Sequence, residues 1–283
     1  MKRKPTATAP ATSPAIATAE ILSLRAGTRP RKRNDCLTRE EPLEIRVRGK
    51  SVAVTMRTPG HDAELAAGFL VTEGLLHRRS DVIEIAPCQQ GEAALHGNVL
   101  NVFLAPSVEI NFERLTRHVF ASSSCGLCGK ASIESVQQQF PPVTSRMRIN
   151  AKVLLALPEK LRAAQETFQQ TGGLHAAALF DARGKMLVLR EDVGRHNAVD
   201  KVIGHAYLHG LLPLDRQLLL VSGRASFEIL QKALAAKIPI VAAVSAPSSL
   251  AVEFARESGQ TLVGFLRKNT MNVYAHPERI VSR

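Results

Sequence analysis

The sequence predicts an α/β protein, with a smaller α+β unit ahead of a layered α/β domain. Three observations carry that expectation. After residue 151, helical and strand-like segments alternate, the pattern of a layered sheet with a largely parallel centre. Before it, short runs of alternating apolar residues flank a single helical stretch, as in a compact unit of another type. At 283 residues, 45% of them hydrophobic, the chain is long enough to bury two cores of ordinary size.

The elements follow in order. Leu43, Ile45 and Val47 alternate with Glu44, Arg46 and Arg48; Gly49-Lys50 turns the chain, and Val52, Val54 and Met56 alternate again, giving a hairpin with one buried face. Thr58-Pro59-Gly60 breaks it, and Asp62 is placed to cap a helix through Leu65, Phe69 and Leu70 to Gly74. Strand-like runs at Val82–Ile85 and Val99–Leu104 complete the small unit. Phe120 to Gly129 reads as a loop, followed by a helix with Ile133, Val136 and Phe140 on one face. Further on, Pro158 marks a helix start, Leu161, Ala164 and Phe168 line one face, and Gly172-Gly173 stop the helix. Strands at 175–180 and 186–190 are separated by the turn signal Asp181-Ala182-Arg183-Gly184. Helices near 196–209, 225–236 and 248–257 then alternate with strands at 217–221, 240–244 and 262–266. The expected layout is a disordered basic tail over 1–35, a small α+β domain over 36–120, a loop and linker helix over 121–150, and an α/β domain over 151–283.

The net charge is +12, but it is unevenly spread. Residues 1–33 hold eight Lys or Arg against Glu20 alone, whereas the remaining 250 carry 29 basic and 24 acidic side chains. A nucleic-acid footprint needs a basic face on the folded part with aromatics to stack on bases; only 4% of residues are aromatic and none is Trp. No nucleic-acid partner is expected. No apolar run reaches the roughly 18–20 residues that span a bilayer, and Met1 to Pro14 lacks the apolar stretch of a secretory signal. The expectation is a cytoplasmic protein without membrane association.

The chemistry is expected at Ser122-Ser123-Ser124-Cys125-Gly126-Leu127-Cys128-Gly129. Two thiols two residues apart can form a disulfide, hold a metal or pass a sulfur atom between them. Lys130 and a following helix start both favour the thiolate, the nucleophilic form. Structural zinc needs four ligands, yet there is no second CxxC, so no metal site is expected. A Ser/Gly-rich loop also lacks the strand-to-helix context of a thioredoxin motif. Such a loop suits delivery, with one thiolate carrying a persulfide and its neighbour attacking it.

Two more motifs fall where strands run into helices: Glu191-Asp192-Val193-Gly194-Arg195-His196-Asn197 and Ser222-Gly223-Arg224-Ala225-Ser226. A third cationic stretch, Arg267-Lys268-Asn269, follows the last expected strand. A glycine there is commonly just a turn, and a lone arginine a solvated surface group. Three such motifs at one end of one sheet point instead to an anion site, because ligands of α/β sheets gather outside the strands' carboxyl ends. Arg195, Arg224, Arg267 and Lys268 are the candidate cations, with the role of His196 open. Neither glycine motif is a Walker loop or a GxGxxG fingerprint.

Taken together, Cys125-Gly126-Leu127-Cys128-Gly129-Lys130, the stretch Arg190 to Lys201 and Ser222 to Glu228 resemble the FdhD family, the sulfur carriers needed for active formate dehydrogenase. Glu41–Gly74, with Arg57-Thr58-Pro59-Gly60 and Thr72-Glu73-Gly74, resembles the family's N-terminal part, so the likeness covers about residues 36–283. The resemblance implies a homodimeric sulfurtransferase that takes sulfur from a cysteine desulfurase as a cysteine persulfide. It implies transfer to the molybdenum (or tungsten) bis(molybdopterin guanine dinucleotide) cofactor, held as substrate rather than as a permanent cofactor, before insertion into formate dehydrogenase. By the family motif, Cys125 is the persulfide cysteine and Cys128 its neighbour, while Phe265, Leu266, Arg267, Lys268, Asn269 and Thr270 match the cofactor-binding stretch. It also implies a three-layer, cytidine-deaminase-like C-terminal domain whose metal site became an anion site. The rivals are a cofactor-binding chaperone without sulfur transfer and a zinc deaminase, the latter disfavoured by the missing PCxxC.

Overall fold

The computed structural model describes residues 13–89, 91, 97–110, 112 and 139–282. Strands β1 (Ile16–Ser23) and β2 (Arg31–Thr38) pair antiparallel, from Ile16 opposite Thr38 to Ser23 opposite Arg31. This hairpin replaces the expected tail from residue 16 onward. Basic composition hid an alternation in which Ala17, Ala19 and Ile21 are half-buried and Thr18, Glu20 and Leu22 exposed, while the pairing of the two strands satisfies their backbone. Its foot is tied down by Arg39 N–H donating to the Ala15 carbonyl at 2.8 Å and by the Thr38 hydroxyl donating to Thr171 Oγ1 at 2.9 Å.

β3 (Glu41–Val47) and β4 (Lys50–Arg57) form the expected hairpin. Arg48 and Gly49 turn it with φ of 49° and 76°, the left-handed pair that matches the twist of a two-residue hairpin. Helix α1 (Asp62–Thr72) follows, but the residue before it is His61 at φ 59°, so Asp62 lies inside the first turn rather than capping it. Its carboxylate accepts from Arg57 Nη2 at 2.9 Å instead. β5 (Val82–Pro87) and β6 (Val99–Leu104) complete a four-stranded sheet in the order β4-β3-β6-β5, with β3 and β6 parallel.

Past residue 148 come β7 (Ile149–Asn150), α2 (Ala151–Ala164), α3 (Glu166–Thr171), β8 (His175–Phe180), β9 (Met186–Asp192), α4 (Arg195–Leu208), β10 (Leu218–Val221) and α5 (Phe227–Ala235). β11 (Ile240–Ala243), α6 (Ser249–Ser258), β12 (Thr261–Arg267), β13 (Thr270–Ala275) and β14 (Ile280–Val281) finish the chain. α2 starts seven residues before Pro158, because the Asn150 side chain accepts from Lys152 N–H at 2.8 Å and caps it there. The proline is tolerated within a helix held by buried Leu154, Leu157 and Leu161.

The larger sheet has the order β13-β12-β11-β10-β8-β9. β10, β11 and β12 are parallel, while β8, β9 and β13 each pair antiparallel to a neighbour. Alternate residues of each central strand face opposite layers. Ala177, Leu179, Leu219, Val221 and Val241 join α4, α5 and α6 in one apolar cluster. Ala176, Ala178, Phe180, Leu218, Leu220 and Ile240 join α2 in the other. The first cluster continues through α1 into Leu43, Ile45 and Val102 of the smaller sheet, so the two sheets share one core. Gly68 of α1 and Gly204 of α4 let those helices touch backbone to backbone: a Cβ on Gly204 would collide with the Glu64 carbonyl, and one on Gly68 with that of Asp200.

Candidate functional site

β9 is antiparallel to β8, which is antiparallel to β10, so β9, β10, β11 and β12 all run the same way. Their carboxyl ends therefore share one edge of the sheet. The motifs after β9, β10 and β12 meet there, joined by His175 at the first residue of β8.

Much of the motif at 190–201 has a structural task. The Asp192 carboxylate is fully buried and meets Lys201 Nζ at 2.7 Å. It also accepts from Thr58 N–H at 3.1 Å, Gly194 N–H at 2.8 Å and Asn197 Nδ2 at 3.0 Å. Lys201 donates to the Thr58 carbonyl at 2.8 Å, and Asn197 Nδ2 donates to that of Met56 at 2.7 Å. These bonds lock the turn after β4 onto the N-terminus of α4. One turn on, buried Asp200 pairs with Lys232 at 2.9 Å and accepts from the Thr72 hydroxyl. Arg190 clasps Glu64 of α1 through Nε and Nη2, at 2.5 and 2.7 Å. The motif thus fixes where Arg195 stands.

Arg195 opens α4, and its Nε is buried with no hydrogen-bond partner among the described residues. Gly223 leaves room beside it: a Cβ there would lie 3.2 Å from His175 Nδ1 and 3.8 Å from the Arg195 Cβ. The Ser222 hydroxyl accepts from Ala176 N–H at 2.9 Å, tying β10 to β8. Next to Arg195, His196 Nε2 lies 3.3 Å from the Ser226 hydroxyl and Nδ1 lies 3.3 Å from Glu228 Oε2. Burial first, and then Arg195, Lys232 and His175, push the His196 imidazole down to about 3. Burial and Arg195 also lower His175, and burial raises Glu228. Both histidines are neutral at pH 7, so arginine and lysine carry the positive charge at this edge.

Two cavities of about 560 and 570 Å³ adjoin along the edge, sharing Pro158, Arg162 and Val244. One reaches His175 and Ser222; the other reaches Leu266, Arg267 and Lys268. Glu191 holds their far wall by accepting from Thr167 and Phe168 N–H at the start of α3, at 3.0 and 2.9 Å. Lys268 pairs with Glu159 at 3.0 Å, both exposed, an ion pair of little energetic weight.

The structure thus brings Arg267 and Lys268 into one groove and sets Arg195 beside its other end. Arg224 is exposed on the same edge but lines neither cavity. Leu266 is fully buried in the α2-side core, so its side chain serves packing while its position borders the groove. Phe265, at φ 49°, sits in a bulge of β12; Lys268-Asn269 are the turn into β13, whose first residue is Thr270. Cys125 and Cys128 lie outside the described residues. No sequence signal marks Arg162 or His175 as site residues, whereas Ser222 belongs to the motif at 222–226; Gly172-Gly173, expected as a helix stop, end α3 and also line the cavity. Among the described residues, no three or more His, Cys, Asp or Glu side chains gather as a metal site, and no helix is long and apolar enough to cross a membrane.

The profile of the FdhD/NarQ family matches residues 38–281, which spans both sheets and every motif above. The chain belongs to the FdhD/NarQ family. Its relatives include the sulfur carrier protein FdhD of Streptomyces avermitilis, 53% identical over 278 residues, covering 93% of this chain and 95% of that one. Those of Mycolicibacterium paratuberculosis and Mycobacterium tuberculosis are 56% and 54% identical, each over 88% of this chain and 93% and 92% of their own. Among solved structures, one described as a formate dehydrogenase accessory protein from Desulfotalea psychrophila superposes with a TM-score of 0.76 at 25% identity. It covers 95% of this chain and all of that one.

Proposed function

We propose that this protein is a sulfurtransferase that loads sulfur on Cys125 as a persulfide from a cysteine desulfurase. It then delivers that sulfur to a molybdenum bis(molybdopterin guanine dinucleotide) substrate destined for formate dehydrogenase. The observation that carries the reading is the kinship with sulfur carrier proteins over nearly the whole chain. The cationic groove supports the acceptor half. A substrate with two pyrophosphates needs fixed cations and backbone N–H donors, and Arg162, Arg195, Arg267 and Lys268 stand along the edge where α4 begins. The orphaned Arg195 Nε is a donor that an anionic ligand would satisfy. On this reading the larger sheet and its helices are a deaminase-like scaffold, with Arg195-His196 and Ser222-Gly223-Arg224 where a metal site would otherwise open two helices. It further entails a cytoplasmic homodimer.

In the transfer, Cys125 thiolate takes the sulfane sulfur from the desulfurase persulfide, and the desulfurase cysteine leaves as thiolate. Cys128 can then attack the Cys125 sulfur, forming the Cys125–Cys128 disulfide and releasing sulfide to the acceptor, so the two thiols supply the two electrons. The rival reading, a chaperone that holds the same substrate without carrying sulfur, is separated by one comparison. Cys125→Ala should bind guanine nucleotides normally yet fail to restore formate dehydrogenase activity in cells lacking the native protein. Normal activity with Cys125→Ala favours the chaperone.

A further inference from the structure

The largest cavity among those described, about 930 Å³, lies at the opposite edge of the sheet, away from the groove described above. It runs along the chain segment 141–148 and is closed by the turn at Ala182, by Asp215-Arg216 and by Lys237. Segment 143–149 is extended and alternates in burial: Val143 and Ile149 are buried, and Met147 packs on the α2-side core. Thr144, Arg146 and Arg148 are exposed between them. Arg146 and Arg148 therefore face the same way, at the period-two spacing of extended chain. Arg216 and Lys237 join them, against Asp215 as the one carboxylate of the lining. None of the three arginines is ion-paired among the described residues, and Lys237 is held by its bond to the Pro141 carbonyl at 2.7 Å.

We propose that this groove docks an acidic, extended segment of a partner protein. Carboxylates at alternate residues stand about 7 Å apart on one face of an extended chain, the spacing that Arg146 and Arg148 present. A planar guanidinium takes a carboxylate in two parallel bonds. No long stretch of this chain outside the described residues is acidic: residues 113–138 set Glu113 and Glu134 against Arg114, Arg117 and Lys130. The N-terminal residues 1–12 carry Lys2, Arg3 and Lys4 with no acid, and a second copy would set a +12 chain against the same cations. A free phosphate would engage one arginine and leave most of the volume empty. The groove shares no lining residue with the cationic groove at the other edge, so its test does not depend on nucleotide binding there.

The test is fluorescence anisotropy of the full chain with a labelled peptide, Ser-Glu-Val-Glu-Val-Glu-Ser, and with its glutamine counterpart. The acidic peptide should bind with salt-sensitive affinity and the glutamine peptide should not. Arg146→Ser with Arg148→Ser and Arg216→Ser should weaken binding at least tenfold. Asp215→Asn, which removes the groove's own carboxylate, should strengthen it, an outcome that misfolding cannot imitate. Equal binding of the glutamine peptide, equal binding by the triple variant, no binding of the acidic peptide, or full displacement by millimolar phosphate would each overturn the proposal.

Discussion

Replacing Asp192 by alanine should unfold the joint between the two sheets before it touches any chemistry. The carboxylate is fully buried against Lys201 at 2.7 Å and accepts three further hydrogen bonds, from Thr58, Gly194 and Asn197. In Asp192→Ala the Lys201 ammonium stays buried with the Thr58 carbonyl as its remaining partner. An uncompensated buried charge costs about 3–5 kcal/mol. Equilibrium urea denaturation, with midpoint and slope fitted together, reads that loss directly. A second substitution separates the charge from the hydrogen bonds. Lys201→Met in the Asp192→Ala background removes the stranded ammonium and should recover stability, leaving a deficit of roughly 1–3 kcal/mol for the orphaned donors. A single-variant loss below about 1 kcal/mol would refute the clamp, because a buried pair cannot be broken so cheaply. So would a double variant less stable than Asp192→Ala alone.

Other consequences follow from the same geometry. Gly204→Ala forces a methyl group onto the Glu64 carbonyl and should cost about 1–3 kcal/mol or more in the same assay, whereas Gly210→Ala, in open space, strains only its own backbone. Arg162→Gln and Arg195→Gln should each weaken guanine-nucleotide binding by roughly 1.5–3 kcal/mol in calorimetry while leaving persulfide loading intact, and Arg224→Gln should weaken it less, since Arg224 is exposed to solvent whereas Arg195 Nε is buried without a partner among the described residues. His196 is held neutral, near 3, against about 6.5 in the unfolded chain, so between those values the unfolded state binds more protons. Stability due to this group is complete above about pH 6.5 and falls with acidification through that window; denaturation in His196→Gln should show a shallower acid slope, and an unchanged slope would assign the effect elsewhere.

How much of this was legible in the sequence depends on which interactions are local. Hairpin β3–β4 and the alternation of helices and strands after residue 174 came through because periodicity and turn residues report them directly. β13 has no counterpart among the expected strands, which end at 262–266, and only its first residue, Thr270, falls in the stretch matched to cofactor binding; the bulge at Phe265 and the two-residue turn at Lys268-Asn269 fold the chain back as an antiparallel strand. The Pro158 expectation failed because a capping asparagine eight residues earlier outweighs the proline signal. Strand ends correctly gathered Arg195, Arg267 and Lys268 at one edge. The roles of Asp192, Asn197, Asp200 and Lys201 were not visible, since their partners Met56, Thr58 and Thr72 lie more than a hundred residues away. Arg162 joins the groove through the packing of α2, and no local pattern marks it.

Sulfur carriage by Cys125 is the centre of the account, and the intact mass of the protein tests it most directly. After incubation with a cysteine desulfurase and cysteine, then removal of the donor, the mass should rise by about 32 Da, one sulfur atom as a persulfide. Peptide mapping should place it on Cys125, Cys125→Ala should not gain it, and a thiol reductant should remove it. An unchanged mass in protein that still binds guanine nucleotides, or the same gain in Cys125→Ala, would contradict the account.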